Sequence, residues 1–473
     1  MTPFIGREKE LARLRVVLES RRSEFVAVYG RRRVGKTLLI RKAFDDKFTF
    51  KMSGIANANT PAQLQNFHTA LARVQPTGKE TPVPKTWFEA FGQLSDMLEK
   101  SKVKRKVIFI DELPWFDTRR SDFVSSLEHF WNSWAAYRDD VVLVVCGSAA
   151  SWMINSLIHH KGGLHNRLTE KILLSPFHLR EAELLLKVQN PTLTRYQVVQ
   201  IYMVTGGIPF YLQAFSGTES PVQNIERICF SPDGLLRLEF ESLYRALFST
   251  HERHIAIVRA IATKAKGLTR DEIIKISKLP DAGSTTNILD ELEKSGFIRR
   301  YQPFQKKKRN SLYQLSDFYT LFYLRFIEKS DPNDSNNWVN SIDKPSHRAW
   351  SGYAFEQVCL HHIPQIKKAL GVSGVVSHSS AWKSQTSEKG AQIDLLIDRR
   401  DEVINLCEMK FSTAPFTINK SYAANLNNKI EVFNEETKNR KAVHLTMITT
   451  FGVKQNSYSH MVHRDLKMDV LFE

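Results

Sequence analysis

The sequence predicts a multidomain α/β protein that is built around a parallel β-sheet. Its 473 residues exceed the roughly 100–200 residues of an ordinary single domain. Two apolar runs, at 107–110 and 141–146, have the Val/Ile/Phe composition of parallel strands that are buried on both faces. A third run, at 24–29, leads into a glycine-containing loop and then a helical segment. The polar stretch Asp331–Asn337 is a plausible hinge before a further segment with strands of its own.

The composition is that of an ordinary globular protein, with 42% hydrophobic and 25% charged residues. No apolar run reaches the roughly 18 residues that a membrane span needs, and the amino terminus lacks the pattern of a signal peptide. The cysteines at 146, 229, 359 and 407 form no CxxC pair, which argues against a zinc site or a disulfide framework. We therefore expect a cytoplasmic protein with no membrane partner.

The net charge is strongly positive, at +17, and the sequence pI is about 9.6. Such an excess favours a polyanionic partner, of which nucleic acid is the commonest.

Residues 30–37 read Gly-Arg-Arg-Arg-Val-Gly-Lys-Thr, the GxxxxGKT pattern, between a strand and a helix. The glycines permit a tight loop whose N–H groups surround phosphates, and the helix N-terminus adds favourable partial charge. Lys36 is expected to reach the β- and γ-phosphates, and Thr37 to ligate Mg²⁺. The pattern therefore predicts ATP and Mg²⁺ as cofactors. The residues expected around the nucleotide are Gly30, Arg31, Arg32, Arg33, Val34, Gly35, Lys36, Thr37 and Leu38.

Two acids, Asp111 and Glu112, end the apolar run at 107–110. Asp111 is expected to hold Mg²⁺ through water, and Glu112 to polarise the attacking water. The next run is followed by Ser148, which is placed to contact the γ-phosphate or that water. Between the two runs, residues 122–137 are predicted to form a helix that packs in the core.

Arg167 stands just before the strand-like run at 171–174. We consider it a candidate arginine finger or sensor residue, with a plain surface arginine as the alternative. An arginine finger supplied in trans would imply a homo-oligomer.

These motifs together resemble the AAA+/STAND-type P-loop ATPases, in particular the archaeal-type ATPase family, over residues 1–330. Phe4–Glu8 is similar to the family's opening segment, which lies near the adenine. Thr205–Pro209 is similar to the GGxP motif that begins the family's lid helix. The resemblance implies an ATPase with a helical lid and places Pro209 at the nucleotide.

Residues 251–315 are predicted to fold as three helices and a two-stranded hairpin, the winged-helix arrangement. Thr269 has the position of a helix cap. Arg299, Arg300 and the segment Lys306–Arg309 give the hairpin six basic residues, which suit phosphate contacts. Acids at 290, 291 and 293 in the third helix would repel DNA, so a purely protein-binding role is the alternative.

Near the carboxyl end, an apolar strand at 392–397 contains Asp394, and the strand at 403–410 ends in Glu408 and Lys410. Glu408 and Lys410 share a face, because residues i and i+2 of a strand point the same way. Two carboxylates on adjacent strands can hold Mg²⁺, which can activate water against a phosphodiester. Glu356, on a preceding helix, would complete the metal site. A second ExK string begins at Glu436, in a polar stretch.

The order helix–Glu, strand–Asp, strand–ExK resembles the PD-(D/E)XK nucleases over residues 345–473, although no proline precedes Asp394. The resemblance implies a restriction-endonuclease-like α/β domain. We expect five parts, in chain order: a parallel-sheet P-loop ATPase core (1–188), a helical lid (189–249), a winged helix (250–330), a hinge (331–344) and the nuclease-like domain (345–473).

The sequence thus predicts an ATPase that is coupled to nucleic-acid binding, DNA in the first place, and to metal-dependent cleavage. The alternative is a signalling or scaffold ATPase whose carboxyl-terminal domain is an inactive binding module.

Overall fold

The computed structural model describes residues 4–75, 81–118, 120–159, 166–306, 310–331, 334, 337–384 and 390–473. The chain divides into two compact units. Of the described residues, those from 6 to 176 form the amino-terminal unit, and those from 177 to 473, together with Phe4 and Ile5, form the carboxyl-terminal unit.

The amino-terminal unit alternates strands and helices, as expected for a parallel α/β sheet. Its strands are β1 (Glu24–Tyr29), β2 (Phe50–Ser53), β3 (Lys106–Asp111), β4 (Val141–Gly147) and β5 (Glu170–Leu173). Its helices are α1 (Glu8–Glu19), α2 (Lys36–Ala43), α3 (Thr60–Ala72), α4 (Trp87–Lys100), α5 (Phe123–Ser133) and the short α6 (Ala150–Trp152).

The five strands are all parallel, in the order β2-β3-β4-β1-β5. Every residue of β4 is buried, which explains its unbroken apolar sequence. Because β3 and β4 flank one another and β1 follows β4, the carboxyl ends of the three predicted site strands lie side by side. The sheet therefore brings residues after Tyr29, Ile110 and Cys146 to one edge.

An aromatic cluster fills the core between this sheet and helices α3, α4 and α5. Trp87 contacts Phe67, Phe116 and Phe123 in edge-on geometry, with ring centroids 4.8–6.2 Å apart. The helix expected at 122–137 is shorter: α5 ends at Ser133, and a 3-10 turn covers Ala135–Tyr137. Trp134 leaves helical geometry at φ −131°, which ends the helix.

The carboxyl-terminal unit begins with a helical region. Its helices are α7 (Leu179–Gln189), α8 (Arg195–Thr205), α9 (Pro209–Leu212), α10 (Pro221–Cys229) and α11 (Glu239–Leu247). Gly206 ends α8 in the left-handed conformation, and Pro209 begins α9. At Gly207, φ is 72° and an added Cβ would lie 2.1 Å from the Phe177 carbonyl oxygen, so only glycine fits.

Residues 251–315 contain the three helices and the hairpin that the sequence predicts. They are α12 (His251–Ala262), α13 (Arg270–Ser277), α14 (Gly283–Lys294), β6 (Ile298–Tyr301) and β7 (Leu312–Leu315). Thr269 caps α13 in a capping box with Glu272, as expected. We call residues 251–315 the helix–hairpin segment; its identification as a winged helix stays a prediction.

The remaining residues form a second sheet with flanking helices. The helices are α15 (Phe318–Phe322), α16 (Pro345–His361), α17 (Ile363–Ala369) and α18 (Lys420–Thr437), and the strands are β8 (Ser377–Lys383), β9 (Gln392–Arg399), β10 (Val403–Lys410), β11 (Ala442–Thr449) and β12 (Arg464–Lys467). The strand order is β12-β11-β10-β9-β8. The hairpin expected between β9 and β10 is present and antiparallel, whereas β10, β11 and β12 run parallel.

No helix in the described ranges is both long enough and apolar enough to cross a membrane. All four cysteines are free and buried.

Candidate functional site

The phosphate-loop backbone requires both of its glycines. Gly30 has φ 141°, and a Cβ there would lie 2.3 Å from the Leu174 carbonyl oxygen. Gly35, which precedes α2, has φ 92°. A side chain would strain the loop at either position, by contact at Gly30 and by backbone conformation at both.

Lys36 lies under this loop and is only 5% exposed. Its Nζ donates to the carbonyl oxygens of Gly30 and Arg31, both at 3.1 Å, and to Ser148 Oγ at 2.9 Å. Burial lowers the pKa of Lys36 below its ordinary value, although nearby acids oppose this shift. The loop thus holds the lysine head at the edge where the strands end.

Asp111 and Glu112, at the end of β3, have different hydrogen-bond partners. Thr37 Oγ1 donates to Asp111 Oδ2 at 2.8 Å, and the Glu112 backbone N–H donates to Asp111 Oδ1 at 2.9 Å. Ser148 binds both Glu112 carboxylate oxygens, through its hydroxyl at 2.6 Å and its backbone N–H at 3.1 Å. Ser148 therefore joins Lys36 to Glu112.

The adjacent oxygens of Thr37 and Asp111 are hard donors of the kind that Mg²⁺ prefers, so the residues present fit that ion. The remaining loop residues differ in exposure: Arg31 and Val34 are buried, while Arg32 and Leu38 are exposed. Arg33 is partly buried and has φ 70°.

Three expectations from the sequence concern residues away from this cluster. Arg167 is exposed, and the two residues before Asn166, Leu164 and His165, lie outside the described part of the chain. Pro209 belongs to the carboxyl-terminal unit, so its place at the nucleotide stays a prediction. In the opening segment, Arg7 is buried and donates to the Ser175 carbonyl oxygen at 2.6 Å.

The carboxyl-terminal sheet brings a second set of predicted residues together. The register pairs Cys407 of β10 with Leu395 of β9, so the next position along aligns Glu408 with Asp394. Glu356 projects from α16, which packs on β10. The four predicted residues, Glu356, Asp394, Glu408 and Lys410, therefore meet at one end of the sheet.

Glu408 is buried, and both of its carboxylate oxygens have hydrogen-bond or ion-pair partners. Its Oε1 accepts from Tyr422 Oη at 2.7 Å and pairs with Lys410 Nζ at 2.9 Å, and its Oε2 accepts from Lys429 Nζ at 2.8 Å. Burial opposes ionisation, but the two lysines prevail and lower the pKa of Glu408 to about 2.

Glu356 and Asp394 share a different cation. Lys266 Nζ donates to Glu356 Oε2 at 2.8 Å and to Asp394 Oδ1 at 2.7 Å. Burial, and then the neighbouring charge of Asp394, raise the pKa of Glu356. Burial also disfavours the charged form of Lys266, but the two carboxylates raise its pKa above the ordinary value.

The three acids expected to form one metal site, Glu356, Asp394 and Glu408, make separate ion pairs in this structure, and the metal site stays a prediction. Within the described ranges, no group of three or more His, Cys, Asp or Glu side chains could hold a metal ion. The acids instead form a Glu356–Asp394 pair around Lys266 and a separate Glu408 cluster. The physical reason is that lysines neutralise each of these partly buried carboxylates.

Sequence reasoning missed Lys266, Tyr422 and Lys429. A signal existed for the last two, because they lie seven residues apart on α18 and so share a helix face. For Lys266 no local pattern exists, since it meets Asp394 across 128 positions of chain.

The basic hairpin differs in part from expectation. Arg299 is not available to phosphate: its guanidinium donates to Gln314 and to Gln357 of α16, and burial lowers its pKa to about 10. Arg300 is exposed, and residues 307–309 lie outside the described ranges. The acids of α14 that would repel DNA are paired with cationic or titratable partners, Asp290 with Lys294, Glu291 with His254 and Glu293 with Arg300.

A cleft of about 760 Å³ lies between residues 300–305 and the carboxyl-terminal sheet. Its basic side chains are Arg300, Lys438, Arg440 and Lys441. Lys441 binds Asp398 at 2.9 Å, whereas Lys438 and Arg440 are exposed and make no ion pair within the described ranges. A second cavity, of about 150 Å³, shares Tyr301, Ser379 and Ser380 with this cleft and is lined by Glu356 and Asp394.

Comparison with known proteins concerns chiefly the amino-terminal part of the chain. Residues 4–215 match the family ATPase_2, described as an ATPase domain predominantly from Archaea. An uncharacterized protein of Methanocaldococcus jannaschii is 25% identical over 425 residues, which cover 86% of this chain and 87% of that protein. A Walker-type ATPase of Pyrococcus abyssi superimposes with a TM-score of 0.52 and 18% identity, covering 68% of this chain and 96% of that chain. The expected P-loop ATPase domain is thereby confirmed for residues 4–215.

Proposed function

We propose that this chain couples ATP hydrolysis to the binding and metal-dependent cleavage of nucleic acid. The observation that carries the proposal is the meeting of Asp394, Glu408, Lys410 and Glu356 at one end of the carboxyl-terminal sheet. An exposed basic cleft near the β9–β10 turn, at the opposite end of these strands, favours a polyanionic substrate. DNA is the first candidate.

In the ATPase domain, Lys36 would bind the β- and γ-phosphates. Thr37 and, through water, Asp111 would hold Mg²⁺, which would offset the phosphate charge. Glu112 would orient and polarise the attacking water. Ser148 now occupies both oxygens of Glu112, so nucleotide binding must exchange that contact for water. Ser148 would then sense the γ-phosphate, and Arg167 would act as a finger or sensor in a homo-oligomer.

In the carboxyl-terminal sheet, Asp394 and Glu408 would ligate a divalent metal ion with Glu356 completing the site, and that ion would supply activation of water. Lys410 would orient the attacking water. The water oxygen would bond to phosphorus while the bond between phosphorus and the leaving sugar oxygen breaks. Carboxylate oxygens are the kind of ligand such an ion takes, but Lys266 must first leave Asp394, and Lys410 and Lys429 must leave Glu408. Exposed Lys438 and Arg440 would contact the phosphate backbone of the substrate.

A second function, a scaffold ATPase with an inactive carboxyl-terminal domain, is favoured by one specific contact. Lys266 binds both acids of the Glu356–Asp394 pair, as a purely structural ion pair would. The two functions differ in whether purified protein cuts nucleic acid.

A cleavage assay separates them. We expect labelled single- or double-stranded DNA or RNA to be cut with Mg²⁺ or Mn²⁺, and Asp394→Asn to lose cutting by at least about a hundredfold, because a metal ligand is removed. Glu436→Gln is the matched control, since Glu436 begins the second ExK string at the end of α18. Failure of the wild-type protein to cut any of these substrates, with or without ATP, would leave the scaffold function.

A further inference from the structure

Lys266 approaches the two acids from a part of the chain distant in sequence. The lysine belongs to the turn between α12 and α13 of the helix–hairpin segment, while Glu356 lies on α16 and Asp394 on β9. One ammonium group bridges the two carboxylates at 2.8 and 2.7 Å. Gln392 Nε2 adds a third donor, at 2.8 Å from Asp394 Oδ1.

The turn that presents this lysine is anchored on several sides. Tyr301 Oη donates to the Lys266 carbonyl oxygen at 2.5 Å, and Gln314 Nε2 to the Ala265 carbonyl oxygen at 2.7 Å. Tyr353 of α16 donates to the Ala265 oxygen as well, at 2.9 Å. The backbone is thus fixed, while the four-carbon stem of Lys266 can move its head group without moving the turn.

Lys266 contacts one oxygen of each acid, Glu356 Oε2 and Asp394 Oδ1. A divalent cation held by both carboxylates would lie close to the Lys266 ammonium, and two positive charges at that separation repel each other. The two therefore compete, and whatever removes the lysine raises the affinity of the acids for metal.

We propose that Lys266 is an internal latch on the Glu356–Asp394 pair, which must swing away before a divalent cation binds there. This inference rests on the proposed metal-dependent function of that site. The released ammonium has a new partner available in a substrate phosphate, because the cavity that Lys266 lines adjoins the basic cleft and shares Tyr301, Ser379 and Ser380 with it. Metal and nucleic acid then favour the same displaced state of Lys266.

The test is Mn²⁺ binding to nucleotide-free full-length protein, measured by calorimetry and by the shift in melting temperature. Without metal, we expect Lys266→Met to have a lower melting temperature than wild type. It should bind Mn²⁺ at least about tenfold more tightly, because the charged hydrogen bonds from Lys266 to the two acids no longer compete with the metal ion. Bound Mn²⁺ should restore its melting temperature. Lys264→Met is the control, since that lysine pairs with Glu272 instead. Adding Asp394→Asn to Lys266→Met should abolish the gain. If Lys266→Met does not fold, Lys266→Gln, which keeps a hydrogen-bond donor, serves for the same comparison.

Equal Mn²⁺ affinity in wild type and the folded Lys266 variant would overturn the latch. If, in addition, wild type and that variant cleave nucleic acid at the same rate, the latch is overturned but the nuclease proposal stands. Tighter Mn²⁺ binding without cleavage of any DNA or RNA would support the latch as a cation gate and remove the nuclease proposal.

Discussion

At both candidate sites, single side chains contact the residues to which we assign the proposed chemistry. In the amino-terminal unit, Ser148 connects the phosphate-loop lysine Lys36 to the candidate base Glu112. In the carboxyl-terminal unit, Lys266 and Lys429 neutralise Asp394 and Glu408, two acids that strand register brings together. The residues with proposed catalytic roles are therefore held in place by hydrogen bonds and ion pairs to their neighbours.

Lys36→Ala and Glu112→Gln should separate binding from turnover. Lys36→Ala should weaken ATP binding by at least about tenfold, because charged hydrogen bonds to phosphate are lost. Glu112→Gln should bind ATP normally and hydrolyse it at least about a hundredfold more slowly, as expected when general-base catalysis is removed. Fluorescent-nucleotide titration and phosphate release measure the two effects. Lys42→Ala, an exposed lysine on the same helix, is the control; normal turnover by Glu112→Gln would contradict its role.

Glu408 should show its low pKa in the pH dependence of stability. Its pKa falls from 4.5 in the unfolded chain to about 2 in the fold, so its stabilisation is present above about pH 4.5 and is lost as the pH falls through about 2. Glu408→Gln should cost about 3 kcal/mol near pH 7, because two partly buried lysines, Lys410 and Lys429, lose their charged partner. Urea unfolding of both proteins should show this difference shrinking towards low pH. A difference independent of pH would contradict the assignment.

At the scale of elements, the backbone depends on glycines at close approaches. Gly207→Ala should destabilise the protein by at least about 2 kcal/mol, since a positive φ and a clash with the Phe177 oxygen both oppose a side chain. Gly352→Ala is the control: it lies within α16 with nothing within 4 Å of the added carbon. That change should stabilise by about 0.5–1 kcal/mol. Similar melting temperatures for both variants would be the contrary result.

The basic cleft gives a prediction about salt. Lys438→Ala with Arg440→Ala should weaken nucleic-acid binding similarly for unrelated sequences and reduce the slope of log affinity against log salt by about 2, one for each lost phosphate contact. Fluorescence anisotropy over a range of salt concentrations measures both. Lys367→Ala with Lys368→Ala, on α17 outside the cleft, is the matched control. An unchanged slope would assign the cleft another role.

Local sequence patterns predicted most of the helices and strands that surround the two candidate sites. The order strand–loop–helix at Gly30–Thr37, the apolar strands at β3 and β4 and the β9–β10 hairpin all follow from local sequence periodicity. The end of α5 at Ser133 did not, because a backbone change at Trp134 has no sequence signature. The prediction that Arg299 suits phosphate contacts failed for a similar reason. Arg299 donates to Gln357 of α16, and only the packing of two distant segments determines that contact.

At the scale of the whole molecule, the chain joins a P-loop ATPase domain to a region that contains a basic cleft and a cluster of acids. The alignment with the Methanocaldococcus jannaschii protein covers most of both chains. Lys266 illustrates why the sequence alone could not give the complete second site. The contact that occupies Asp394 arises between segments 128 positions apart and has no local pattern.

Arg167 leads to a prediction about assembly. If it acts in trans, hydrolysis per subunit should rise with protein concentration, and mixing Arg167→Ala with Glu112→Gln should restore partial activity, because each supplies what the other lacks. Phosphate release across a concentration series, with sedimentation of the same samples, tests this. A rate independent of concentration in a demonstrated monomer would remove the trans role.

The measurement that tests the account most directly follows ATP hydrolysis and oligonucleotide cleavage in the same sample, for wild type and Asp394→Asn. Two chemically separate sites predict that wild type does both and that Asp394→Asn hydrolyses ATP at the wild-type rate while its Mn²⁺-dependent cleavage falls to background. Cleavage that persists in Asp394→Asn, or a wild-type protein that hydrolyses ATP but cuts no DNA or RNA, would contradict it.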